Sequence, residues 1–185
     1  VIEIRIHGRG GQGAVTAAEI LAIAAKEDGK YSQAFPFFGV ERRGAPVTAF
    51  ARIDDEFIKI RSQIYEPDHV IVLDSSLLAV VDVTEGLSED GLIVINSRED
   101  REESDEVAEE FEDFNVYVVD ATQIALDELG IPIVNTAMVG AYLKASDVLT
   151  LDAVKEAIHA RFSGEIAEKN VRVVERAYRE VKAVG

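Results

Sequence analysis

Gly8-Arg9-Gly10-Gly11-Gln12-Gly13 lies between an apolar alternation (Ile2, Ile4, Ile6) and an alanine-rich run from Ala14 to Glu27. Period-two apolar residues, then glycines, then a helix-forming run predict a strand, a tight turn and a helix. Four glycines in six residues let the backbone take positive φ and come close to a ligand, while the helix behind the turn aims its positive dipole end the same way. Such a turn suits a phosphate.

The spacing also fits G-x-G-x-x-G, which in dinucleotide-binding folds is followed about 20 residues later by a carboxylate at the end of the second strand. Asp28 has the separation but falls in Lys26-Glu27-Asp28-Gly29, which reads as a helix end closed by Gly29. The next strand candidate, Tyr31 to Phe35, runs into Pro36-Phe37-Phe38 without a carboxylate. Three readings stay open on the residues alone: an NAD site, a site for another phosphate-bearing ligand, and a tight turn that binds nothing.

Working outward, residues 35–46 form an aromatic, locally basic loop, Phe35-Pro36-Phe37-Phe38-Gly39-Val40-Glu41-Arg42-Arg43-Gly44-Ala45-Pro46. Paired arginines suit bidentate contact with carboxylate or phosphate, and clustered phenylalanines suit a surface that something covers. The plainer alternative is a loop whose aromatics cap the sheet. Val47 to Ile53 and Phe57 to Ile60 alternate around Asp54-Asp55, which predicts a β-hairpin. Beyond Pro67, His69 to Leu73, Leu92 to Asn96 and Val116 to Val119 are near-continuous Val, Ile and Leu separated by helical stretches. The expected fold is therefore a single α/β domain with a mostly parallel sheet covered by helices on both faces, an inserted β-hairpin and C-terminal helices over about 150–185.

Asp74 and Asp120 end two of these strands, at the edge where α/β folds bind ligands. The acidic run Glu99 to Asp113 carries Val107, Phe111 and Phe114 at helical spacing, so its charges read as the wet face of an amphipathic helix. Asn135 and Thr136 read as N-cap residues of an apolar helix, Ala137 to Ala145, with amides that face a ligand if this end points at the glycine turn.

The net charge of −16 is uneven: residues 1–65 carry +1 and residues 66–185 carry −17. Nucleic acid is disfavoured as a partner, and an anionic ligand is expected near the first 65 residues. Cysteine is absent, which removes disulfides, thiolate nucleophiles and cysteine-ligated metal or iron–sulfur centres. No run of about 18 apolar residues and no leader pattern occurs, so a cytoplasmic protein without membrane contact is expected. The three histidines, His7, His69 and His159, are scattered, and neither metal ligation nor a catalytic triad is indicated. His7 abuts the glycine turn, where it can touch a ligand or act as a hydrogen-bonded structural group. On these residues the chain is a binding module.

Three stretches, His7 to Gly13, Phe35 to Val47, and Phe162-Ser163-Gly164-Glu165 with Glu168-Lys169-Asn170, resemble the gamma subunits of pyruvate:ferredoxin oxidoreductases, a family in which some archaea share this subunit with the 2-ketoisovalerate enzyme. The resemblance implies a role in oxidative decarboxylation of a 2-oxoacid to an acyl-CoA, with electrons passed to ferredoxin. It implies alpha, beta and delta partner subunits that carry the thiamine diphosphate and iron–sulfur clusters, and a gamma chain that closes over the site and meets coenzyme A. By motif, Gly8, Arg9, Gly10, Gly11, Gln12 and Gly13 would cradle the coenzyme's phosphates, Arg42 and Arg43 would neutralise them, and Asn135 would add a polar contact. The neighbouring aromatics would meet the alpha or beta subunit. A purely architectural subunit and a free-standing NAD-binding protein remain the alternatives.

Overall fold

The computed structural model describes residues 1–37, 42–98 and 101–184. Phe38, Gly39, Val40 and Glu41 of the aromatic loop, and Glu99 and Asp100 of the acidic run, lie outside the described residues. The elements run β1 (Ile2–Arg9), α1 (Ala14–Glu27), β2 (Tyr31–Pro36), β3 (Pro46–Asp54), β4 (His69–Val72), a 3-10 turn (Ser75–Ala79), β5 (Leu92–Asn96), α2 (Arg101–Glu110), β6 (Asn115–Val119), α3 (Ala121–Leu129), α4 (Asn135–Ser146), α5 (Leu151–Arg161), α6 (Gly164–Glu180) and β7 (Lys182–Val184). The strands form one sheet in the order β2-β3-β1-β4-β5-β6-β7.

Alternation along each strand divides the apolar residues between two faces. Ile4, Ile6, Ile71, Leu73, Leu92 and Val94 point to one side, where α1 and α3 to α6 supply Ala17, Leu21, Ile124, Met138, Val154, Val174 and other buried residues. Val70, Val72, Ile93, Ile95, Val116 and Val118 point to the other, against Val107 and Phe111 of the α2 segment. Burial on both faces explains why β4 to β6 contain almost no polar residue. It also confirms the α/β reading with helices on both sides. The sheet is mixed: β1, β4, β5 and β6 pair in parallel, while β2-β3, β3-β1 and β6-β7 pair antiparallel.

The hairpin expected around Asp54-Asp55 does not form. Residues 46–54 pair on one side with β1 and on the other with β2, Tyr31 opposite Asp54 through Pro36 opposite Ala49. Phe57 to Ile60 instead cross one face of the sheet as a strap: Ile58 is buried, and the Gln33 side chain donates to the Ile60 carbonyl at 3.0 Å. Only Ile58 of this stretch is buried, while Phe57 and Ile60 stay exposed, so the alternation marks a single anchoring side chain and not a ladder. Nor do Asn135 and Thr136 cap α4 from outside: Val134 is the cap residue, and both polar residues lie inside the first turn. β7, invisible in so short a segment, closes the sheet against β6.

Near β1 the second face turns polar. Arg52 is buried beneath the strap, donating to Glu3 Oε1 at 2.6 Å and Gln33 Oε1 at 3.3 Å, with its guanidinium 5.2 Å from the Phe35 ring centre. Arg5 donates to the carbonyls of Val83 and Glu85 at 3.0 and 2.7 Å and to His7 Nε2 at 3.0 Å. A buried guanidinium is tolerated because its fork meets acceptors on several sides.

On the helical side, α4 and α6 cross closely at Gly140, where an added Cβ would meet Val174 Cα at 2.9 Å and its carbonyl oxygen closer still. Replacing Gly140→Ala should force these helices apart and lower unfolding free energy by about 1–3 kcal/mol, measurable by urea titration.

Candidate ligand site at the glycine turn

The turn after β1 is held by its own side chains. Gln12 Oε1 accepts from Arg9 N at 2.6 Å, and Gln12 Nε2 donates to Asp74 Oδ2 at 2.8 Å. Arg9 reaches across the turn to the Gly44 carbonyl at 3.1 Å and to Ser76 Oγ at 2.9 Å, with Asp74 3.5 Å away. Gly10 is locked to the arginine loop: its N–H donates to the Ala45 carbonyl at 2.9 Å, and its own carbonyl accepts from Gly44 N–H at 3.1 Å. A Cβ at Gly10 would strike the Arg42 carbonyl, so only glycine admits this contact. Gly8 belongs to β1, paired with Val47.

What stays open is narrower than the motif. Among the described residues no acceptor is found for the N–H groups of Gly11 and Gly13, which take φ of 94° and 82° at the entry to α1. Asn135 packs its side-chain amide onto Gly13. Arg42 and Arg43 are exposed beside Gly10, with Gly10 bridged to Arg43. The structure thus brings together all the residues singled out in the sequence, the arginine loop at one end of the turn and Asn135 at the other. Gly8, Arg9, Gly10 and Gln12 brace the turn, while Gly11, Gly13, Arg42, Arg43 and Asn135 remain available for contact.

Two clefts flank the turn. One, of about 690 Å³, opens at the carboxyl ends of β4, β5 and β6, where strand connections switch faces, and is lined by Gln12, Asp74, Asn96, Arg98, Glu103 and Asp120. Asp74 and Asp120 also cap the helical segments that begin beside them, accepting from Ser76 N and Gln123 N. Burial opposes charge on Asp74, but hydrogen bonds from Ser76 and Gln12 and the nearby Arg9 outweigh it and hold its pKa below the usual carboxylate value. Three carboxylates, Asp74, Glu103 and Asp120, line the walls of this cleft together with Arg98. The other, of about 400 Å³, is mostly apolar and is bordered by Gly11, Gly13, Asn135, Phe162, Ile166 and Lys169. The motifs around Gly13 and Lys169, far apart in sequence, therefore meet here. Spacing alone carries no sign of that meeting, because it depends on α6 folding back along α4.

The loop aromatics differ in their surroundings. Phe35 stacks on Phe50 with ring centres 5.2 Å apart, whereas Phe37 stays 47% exposed. Asp28 is no ribose ligand: its carboxylate accepts from Thr150 N and Oγ1, both at 2.7 Å, tying the end of α1 to the start of α5. Among the described residues no cluster of three potential metal ligands occurs, and no helix is long and apolar enough to cross a membrane.

Comparison with known proteins agrees with this architecture. The family model for pyruvate ferredoxin/flavodoxin oxidoreductase matches residues 3–180. The chain belongs to that family. Within it, the chain is 56% identical to the pyruvate/ketoisovalerate oxidoreductases common subunit gamma of Pyrococcus furiosus, over 98% of both chains. It is 57% identical to pyruvate synthase subunit PorC of Methanocaldococcus jannaschii, covering 98% of this chain and 97% of that one. The crystal structure of pyruvate oxidoreductase subunit PORC from Thermotoga maritima superposes with a TM-score of 0.86 at 43% identity, over 98% and 97% of the two chains. These relatives place the chain among the gamma-type subunits of the family, so the enzyme is a multi-subunit assembly of which this fold is one part.

His7, just before the turn, is the structural group and not the ligand contact: it is buried and accepts from Arg5 Nε. Burial, reinforced by the Arg5 charge, lowers its pKa from 6.5 to about 4. The folded chain therefore resists a proton that the unfolded chain accepts below pH 6.5, and stability falls as pH drops from 6.5 to 4, by about 3 kcal/mol from this group. A His7→Gln chain should lose that slope in urea titrations across the same window.

Proposed function

We propose that this chain is the gamma subunit of a pyruvate-type 2-oxoacid:ferredoxin oxidoreductase of the cytoplasm, contributing the site that holds the anionic end of coenzyme A. Assembled with alpha, beta and delta subunits, it would serve oxidative decarboxylation of the 2-oxoacid to an acyl-CoA, with electrons leaving to ferredoxin. Thiamine diphosphate and iron–sulfur clusters on those partners supply the bond-breaking and electron-transfer chemistry. The lack of cysteine in this chain is consistent with that division of labour.

The observation that carries the reading is that the Gly11 and Gly13 amides, without acceptors among the described residues, follow directly on Gly10, which is bridged to the loop bearing two exposed arginines. Backbone amides at a helix N-terminus and guanidinium forks are the two commonest partners of phosphate oxygens, and both are preset here by the Gly10 contact. Asn135 closes the far end. The chain's own task is then to bind and orient the thiol acceptor, so that the acyl group forms its new bond without a diffusional search. Phe37, exposed next to this site, supports contact with an alpha or beta subunit.

A purely architectural role has one observation in its favour, the four turn residues already committed to bracing. Replacing Arg42→Ala together with Arg43→Ala in the assembled enzyme separates the readings. The expected result is a KM for coenzyme A raised about tenfold or more, with kcat and the size of the complex retained. A dissociated complex with unchanged KM would favour architecture, and no change in either would refute the site.

A further inference from the structure

The apolar cleft between the glycine turn and α6 has walls and a floor of different chemistry. Ile131, Ile133 and Ile166, 49%, 39% and 60% exposed, stand with Leu129 and Phe162 around a space of about 400 Å³. At its base Asn135 is only 6% exposed, and its side-chain orientation is fixed because Oδ1 accepts from Thr136 N at 2.9 Å. The Nδ2 group therefore faces Gly13, and among the described residues it meets no acceptor. No wholly enclosed side-chain polar atom of the described residues lacks a partner, so this unsatisfied donor must open to the cleft. Gly11 and Gly13, whose amides likewise find no acceptor among the described residues, border the same base, and Lys169 stands at the rim.

From this combination we propose that the cleft binds an aliphatic monocarboxylate, its carboxylate on Asn135 Nδ2 and the amino end of α1, its hydrocarbon body against the isoleucines. One negative charge matches the donor set. The rim cations are already shared, Lys169 with Glu165 at 3.2 Å and Arg161 with Glu19 at 3.7 Å, so a phosphate dianion would keep uncompensated charge near two glutamates. The volume lies at the lower end of small-molecule pockets and has ample room for a short aliphatic body. This site goes beyond the coenzyme A reading: it shares Asn135 and the Gly11 and Gly13 amides with it but not Arg42 or Arg43, and its isoleucine walls play no part in phosphate contact.

The test is titration of the full-length chain with hexanoate, followed by amide NMR and calorimetry. Saturable binding with a Kd below about 1 mM is expected, with the Asn135 side-chain amide and the Gly11 and Gly13 N–H signals moving most. Hexanol, the neutral counterpart, should bind at least tenfold more weakly. Asn135→Asp keeps the acceptor for Thr136 N but replaces the donor with a negative charge, and should weaken hexanoate at least tenfold. Ile166→Glu, at an exposed position, should do the same without altering the KM for coenzyme A in the assembled enzyme. Equal affinity for hexanol, signal changes centred on Asp74 and Asp120, undiminished binding by both variants, or no saturation would each overturn the proposal. Failure here leaves the expected response to Arg42→Ala and Arg43→Ala untouched, so the two tests have separate outcomes.

Discussion

The paired hydrogen bonds between Gly10 and the Gly44-Ala45 backbone set the geometry of everything around the first turn. They exist because Gly10 lacks a Cβ, which lets a second loop lie directly on the chain. One consequence is positional: two arginines sit beside the entry to α1, brought there by main-chain contacts. Another is rigidity, since Gln12 and Arg9 tie the same turn to the end of β4 through Asp74 and Ser76. The positive-φ backbone at Gly11 and Gly13 is thereby held between these two sets of contacts.

That turn divides two environments of opposite character. Toward the sheet's carboxyl edge, carboxylates that cap the neighbouring helical segments dominate, and toward α6 the walls are aliphatic with a few donors at the base. Edge position alone, the usual guide to ligand sites in α/β folds, would have pointed to the larger and more acidic cleft. The glycine-turn amides without acceptors among the described residues border the aliphatic cleft instead.

Much of this is legible in the order of residues. Continuous apolar strands, the glycine turn and the amphipathic pattern of 101–110 each carry a local signal, because the side chains that define them are neighbours in sequence. Pairing partners are harder. The Phe57 to Ile60 alternation and the true partner, Tyr31 to Pro36, look alike by period, and only the competition for both edges of β3 separates them. The buried Arg5 and Arg52 give no warning, since a charged residue in a strand normally marks the wet side. Asn135 is recognisable as a helix-start residue with a second use, but its contact with Gly13 and its place opposite Lys169 depend on how α4 and α6 pack.

The two buried guanidinium groups on the second face of the sheet bear on behaviour with heat. Dehydrating a charged group is costly near room temperature, but hydration of ions weakens on warming, so the cost of enclosing Arg52 and Arg5 shrinks while their hydrogen bonds persist. Apolar burial shows no comparable gain. A face built around enclosed guanidinium groups therefore grows relatively stronger as the surroundings become hotter, giving this half of the sheet a thermal profile different from that of the aliphatic half.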